Sequence, residues 1–149
     1  MKRGFVLAVV FLLIVLAFLS IYKKPEIESL VKFYSEGKNV TLKVSIADTD
    51  ELRTKGLMFV SKLEENEGML FVYSDEAPRT FWMKNTLIPL DMIFIAVNGT
   101  VVNVVENAKP CEIDPCVTYD SIHPAKYVVE TNAGFAKQNG IFTGIGFYG

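Results

Sequence analysis

"LDMIFIAVNGTVVNVV", residues 90–105, places two apolar runs on either side of Asn98-Gly99. Asn-Gly supplies the two positive-φ positions of a type I′ turn, so this stretch is predicted to fold back on itself as a β-hairpin. Working outward, "NVTLKVSIA" (39–47) alternates, with Val40, Leu42, Val44 and Ile46 on one face and Thr41, Lys43 and Ser45 on the other. That is the period of a half-buried strand. Further strands are expected in "GMLFVY" (68–73), "RTFWMK" (79–84), "KYVVETN" (126–132) and the closing "IFTGIGFYG" (141–149). Helix signals are brief. Asp48 and Glu51 resemble a capping box, and Gly56 ends a two-turn helix holding Leu52, Arg53 and Lys55. Asn132 is placed to cap a short helix running through Gln138, with Gly140 at its end. Close-set short strands with so little helix predict a mainly β domain, an antiparallel β sandwich or barrel with one or two short helices. βαβ units are not expected, since their crossovers need about a dozen residues or more.

The start of the chain is different in kind. "GFVLAVVFLLIVLAFLSIY" (Gly4–Tyr22) has no charge over nineteen residues and follows Lys2 and Arg3. About twenty apolar residues cross a bilayer core. A secretory signal has a shorter apolar stretch and a small-x-small cleavage site, which Ala17-Phe18-Leu19-Ser20 matches poorly. The expected organisation is a signal anchor or signal peptide over 1–24, a juxtamembrane helix or stalk over 25–38 between Pro25 and Gly37, and a β domain over 39–149. Lys2, Arg3 and the terminal amine precede the span, which sets the N-terminus in the cytoplasm and the C-terminal domain outside it. The lipid bilayer is then a partner through residues 4–22; cleavage and secretion is the alternative.

Residues 25–149 hold eleven basic and seventeen acidic side chains, a net charge of −6. Nucleic acid and anionic headgroups recruit clusters of Lys and Arg, so neither is expected as a partner. The two cysteines stand in "KPCEIDPCVTY". In an oxidising compartment Cys111 and Cys116 would pair, and a loop this short should add about 2 kcal/mol. A redox dithiol usually has two residues between its cysteines, not four, and a metal site would need more nearby ligands than the sole histidine, His123, and two acids provide. No metal or cofactor is expected. Two sequons, at Asn39 and Asn98, are acceptors only where the host glycosylates exported proteins.

Taken together, "RTKGLM" (53–58), "GMLFVY" (68–73), "FWMKNTLIPLDMIF" (81–94), "PC" (110–111) and "PAKYVVETNAGF" (124–135) resemble, in order and across about residues 40–145, the domain-of-unknown-function family 192. The resemblance implies a compact, mostly β domain, commonly exported or anchored, and it supplies no catalytic residues. Near the end, members tend to carry Gly-Asp where this chain has Gly144-Ile145, so any role of that acid is absent here.

The polar residues inside these blocks are Arg53, Lys84, Asn85, Asp91, Lys126, Glu130 and Asn132, and with Trp82 they are the candidate ligand-binding set. Polar groups in apolar blocks must be paired whether they pin a fold or line a site. Under the pinning account Asp91 pairs with Arg53 or Lys84, Asn85 bonds its own turn, and Trp82 packs. Under the site account the loop "NTLIP" presents Lys84, Asn85 and Asp91, with the Trp82 face beside the Lys84 ammonium. If residues 80–84 are extended, Trp82 and Lys84 share one face and Phe81 and Met83 the other. Asp120, Ser121 and His123 lie close in sequence but lack nucleophile-elbow glycines. The five methionines form no ligand cluster in sequence and read as core filler. The expected function is therefore binding of a small polar ligand or a protein partner by an anchored domain. The alternatives are a hydrolase of small polar, glycan or peptide substrates using Asp91 or Glu130, and an accessory subunit of a membrane complex.

Overall fold

The computed structural model describes residues 2–21, 26–27, 29–35 and 37–149. Helix α1 covers Lys2–Ile21. Its described side chains, residues 6–15, cover about 15 Å of helix, half of a bilayer core. Among the described residues no helix is long and apolar enough to cross a membrane. Of the nineteen residues of the span expected over Gly4–Tyr22, nine lie outside those side chains.

Nine strands follow, β1 (Ser29–Ser35), β2 (Lys38–Ala47), β3 (Glu67–Ala77), β4 (Thr80–Trp82), β5 (Leu90–Ile95), β6 (Val101–Ala108), β7 (Thr118–Asp120), β8 (Ala125–Asn132) and β9 (Gly146–Tyr148), with helices α2 (Asp50–Lys55) and α3 (Phe135–Gln138). Seven strands form one sheet in the order β6-β5-β8-β3-β2-β1-β9, and β4 pairs with β7 in a separate ribbon. The sheet curls into a half-barrel. Three strands separate β8 from β9, yet the Tyr127 and Phe147 rings lie 5.9 Å apart across the curl. At one end the edges meet, with the Val101 N–H donating to Ile145 O at 2.8 Å and the Phe147 N–H to Gly99 O at 2.7 Å.

Inside the curl Val31, Phe33, Leu42, Val44, Ile93, Ile95, Val129 and Phe147 form one core, closed by Phe135 and Ala136 of α3. The other face carries a second core of Met69, Phe71, Met92, Phe94 and Val128, roofed by Leu57, Val60 and Leu63 and by Phe81 and Met83 beside the ribbon. Because β5 lies between these layers, all six of its residues are buried. That explains its unbroken apolar run.

Several expectations are corrected. Residues 29–35 form a strand, not a juxtamembrane helix: Val31 and Phe33 are buried while Leu30 and Tyr34 are exposed, an alternation of period two. The sheet thus begins ten residues before the expected boundary, and Gly37, at φ +85°, turns the chain between paired Ser35 and Lys38. Of the 25–38 segment, Pro25, Glu28 and Glu36 lie outside the described residues. The sheet is not purely antiparallel and no second sheet packs on it as a sandwich. β2 and β3 run parallel, with α2 in the nineteen residues between them, a crossover long enough for the purpose. The α2 cap is Thr49, one residue later than expected, its hydroxyl accepting from the Leu52 N–H. The 90–105 hairpin forms, but only Gly99 takes positive φ, at +81°. The Gly99 N–H closes a turn on Ala96 O, the Ala96 N–H donates to Thr100 O and Asn98 Oδ1 accepts from the Thr100 N–H, so the loop, residues 97–99, is one residue longer than a type I′ turn.

Candidate functional site

Thr49 starts α2 and Gly56 stops it, its N–H returning to Leu52 O at 2.8 Å. Gly56 has φ +47°, a region that L side chains rarely adopt, and a Cβ there would stand 3.2 Å from the Phe71 ring and 3.7 Å from Glu130 Oε2. Leaving out that carbon keeps a pocket open. Arg53, Lys55 and Gly56 border it on one side, Trp82, Lys84 and Thr86 on the other, and Phe71, Phe81 and Glu130 form its floor. Its volume is ≈ 30 Å³, above the ~10–15 Å³ needed to hold a water.

Glu130 is 4% exposed and no described residue hydrogen-bonds its carboxyl; the one fully enclosed side-chain atom without a partner among the described residues is Ser45 Oγ. On β8 it lies level with Met69 of β3 and Met92 of β5, inside the second core. Desolvation among these groups pushes its pKa from the ordinary 4.5 to about 8, so at neutral pH it holds its proton and offers an O–H as well as an acceptor. Burial likewise raises Tyr73, against the opposing fields of Arg79 and Arg53.

The rim is cationic. The Lys84 ammonium lies 5.7 Å from the Trp82 ring centroid and 3.1 Å from Asp114 Oδ2. Trp82 is 47% exposed, and the Phe81/Met83 and Trp82/Lys84 alternation holds, with Phe81 and Met83 buried. Arg53 is mostly committed to the scaffold. Its Nη1 donates to Asp48 O and Val72 O at 2.6 and 2.7 Å, and its Nη2 to Asp50 Oδ1 at 2.6 Å, tying α2 to β3.

Four of the eight sequence candidates therefore meet here: Arg53, Trp82, Lys84 and Glu130. The other four do not. Asp91, fully buried, faces the inner core. Its Oδ1 accepts from the Asn107 N–H at 2.8 Å and its Oδ2 from the Ala136 N–H at 2.9 Å. It pins the β6 bulge, where Asn107 takes φ +56°, and caps α3 from another strand. The expected pairing of Asp91 with Arg53 or Lys84 does not form; those cations pair with Asp50 and Asp114. Asn132 does not cap α3 either. Gly134 occupies that position, and Asn132 Nδ2 donates to Leu63 O and Glu64 O at 3.1 and 2.9 Å, fastening the crossover loop. Asn85 holds a turn at φ +56°, its carbonyl accepting from the Phe59 N–H. Lys126 lies 6.0 Å from the Tyr127 ring centroid, away from the pocket. Lys55, Gly56 and Thr86 were not among the candidates; the only signal for them was their place inside or beside the quoted blocks.

Neighbouring residues of a strand point to opposite faces, and Glu130 is level with Met92, so Asp91 and Glu130 open on different sides of the sheet. They cannot share one substrate as acid and base. Ser121 is fully buried, its hydroxyl donating to His123 O at 2.5 Å, and Asp120 accepts from Thr80. This trio has no nucleophile–base contact. Cys111 and Cys116 form a disulfide. The cluster they make with Asp114 thus holds no free thiolate.

Among solved structures the fold is similar to that of a candidate transcription regulator from Sinorhizobium meliloti 1021, with 35% identity, TM-score 0.77, and 85% of this chain and 98% of that one covered. It is equally similar to a protein of unknown function from Novosphingobium aromaticivorans DSM 12444, with 30% identity, TM-score 0.77, and coverages of 85% and 94%. No curated protein matches the sequence. The model of DUF192, described as "Uncharacterized ACR", matches residues 31–146. With that match covering well over half of the chain, the chain belongs to the uncharacterised family DUF192.

Proposed function

We propose that this chain is a binding domain held outside the cytoplasm by the apolar segment 4–22, and that its Glu130 pocket receives one end of a small polar ligand. The observation that carries the reading is the Glu130 carboxyl, buried, without a hydrogen-bond partner among the described residues, and lining an opening that Gly56 keeps clear. An exposed indole beside the opening supplies the flat apolar wall common at such sites. The disulfide supports an oxidising compartment, and therefore the outward placement. The regulator description of one structural neighbour suggests DNA as another partner, but the net charge of −6 over residues 25–149 opposes it.

A protein partner finds support in Ile113, inside the disulfide loop, and Val117, just after it, 81% and 71% exposed. The small-ligand reading is preferred because the buried polar group lies in the pocket and not on that loop.

Trp82 is the only tryptophan, so its fluorescence reports the pocket. Full-length protein in an uncharged detergent, titrated with acetate, methylammonium and glycerol, should show a saturable change with at least one of the three. Silence with all three would remove the ligand reading. For the anchor, alkaline carbonate should leave the chain in the membrane pellet and protease added to spheroplasts should cleave it; release into the supernatant would argue for secretion instead.

A further inference from the structure

Building on the ligand reading above, we infer that the ligand group entering the pocket is a carboxylate, taken up as a hydrogen-bonded pair with the Glu130 carboxyl and faced by Lys84 and Lys55. Three features select this chemistry. First, Glu130 is the only acid lining the pocket, while Arg53, Lys55 and Lys84 border it, on a domain that is otherwise acidic. A cationic ligand would meet three like charges, and a neutral hydroxyl would leave them unused. Second, Lys55 makes no ion pair among the described residues, and the one ion-pair partner of Lys84 among them is Asp114, whose side chain is 70% exposed, so both ammonium groups are available to an anion. Third, the pocket opens beside Trp82, whose exposed ring can take the remainder of the molecule.

The proton balance is simple. The neutral Glu130 O–H donates to one ligand oxygen, and the ligand's charge stays with the lysines. No proton is transferred and none leaves. Besides Glu130, the charged groups lining the pocket are Arg53 and Lys55 from α2 and Lys84 from the segment after β4; Tyr73 of β3 feels the Glu130 charge, and β5 offers Met92. Once Glu130 ionises, two negative groups would share the pocket, and binding must fail.

A carboxylate could belong to a free small acid or to the end of a peptide chain, and two probes separate these sources. Full-length protein is titrated with acetate, and in parallel with tri-alanine bearing a free or an amidated C-terminus, at pH 7 and pH 9.5. Acetate or free tri-alanine should give saturable Trp82 quenching that weakens about thirtyfold between the two pH values, as a group titrating near 8 requires. Tighter binding of free tri-alanine than of acetate, lost on amidation, assigns a peptide end; the reverse order assigns a small acid. Glu130→Gln keeps a donor without an ionisable proton, so its binding should be retained and flat with pH. Lys84→Ala and Lys55→Ala, on side chains that are not buried, should each weaken binding severalfold with an unchanged Tm. Saturation by methylammonium or glycerol but not by either carboxylate would overturn the carboxylate assignment and leave the binding reading intact. Carboxylate binding independent of pH in the unaltered protein would overturn the role of Glu130. No response to any probe would overturn both readings.

Discussion

Asp91 and Glu130 stand on neighbouring strands of one sheet, both removed from water, and the fold treats them in opposite ways. Asp91 receives two backbone N–H groups, one from the β6 bulge and one from the first turn of α3, and so ties three elements together. Glu130 receives none, keeps its proton to about pH 8, and lines an opening. The inner face has been built around its acid. The outer face has a gap beside its own, where Gly56 stands in place of a larger residue. Burial alone therefore does not separate a structural acid from a functional one; the difference lies in whether the surrounding backbone supplies donors.

The widest consequence of this contrast is in pH dependence. The folded protein holds the Glu130 proton up to about pH 8, whereas the unfolded chain releases it near 4.5. The native state binds more protons in that window, so stability falls as pH rises from about 4.5 to 8 and levels off above. The drop attributable to this group is on the order of 5 kcal/mol, and chemical unfolding between pH 5 and 9 should show it against a flatter profile for Glu130→Gln. Equal profiles would mean that the carboxyl is not held neutral.

Next in size is Asp91→Ala, which strands the buried Ala136 N–H and the part-buried Asn107 N–H and should cost about 3 kcal/mol in urea unfolding at pH 7. A loss under about 1 kcal/mol would place Asp91 in the same category as Glu130 and end the comparison. Replacing Cys111 and Cys116 together by Ser should cost about 2 kcal/mol, the value of closing a short loop, and should also loosen Asp114 from Lys84. Lys84→Ala is the smallest: a half-exposed pair to Asp114 contributes under about 1 kcal/mol, so Tm should barely move. A large drop would turn the rim lysine into scaffold.

How much of this was legible depended on distance along the chain. The 90–105 hairpin, the Trp82/Lys84 alternation and the short disulfide are local matters, decided by side-chain period, turn chemistry and a separation of five residues. The failures were local rules overruled from afar. "SLVKFYS" follows a proline and precedes a glycine, as helices do, yet pairing with β2 and β9 makes it a strand. Asn132 has the chemistry of a helix cap, but two carbonyls of the crossover loop, at Leu63 and Glu64, take its amide. Ser45 has the parity of a solvent-facing residue and is 2% exposed, because the crossover roof covers that face of β2.

By itself the sequence determined an apolar leader, an acidic β module, its principal hairpin and a disulfide, since each rests on composition or on residues within a few positions of one another. The tertiary structure alone decided that β2 and β3 run parallel, that the sheet curls until Phe147 meets Tyr127, and that Arg53, Trp82, Lys84 and Glu130 share a pocket while Asp91 does not. Those outcomes turn on which strands pair and in what register. A one-residue shift of register exchanges the two faces of a strand, so only the assembled sheet determines which acid finds donors and which is left facing an opening.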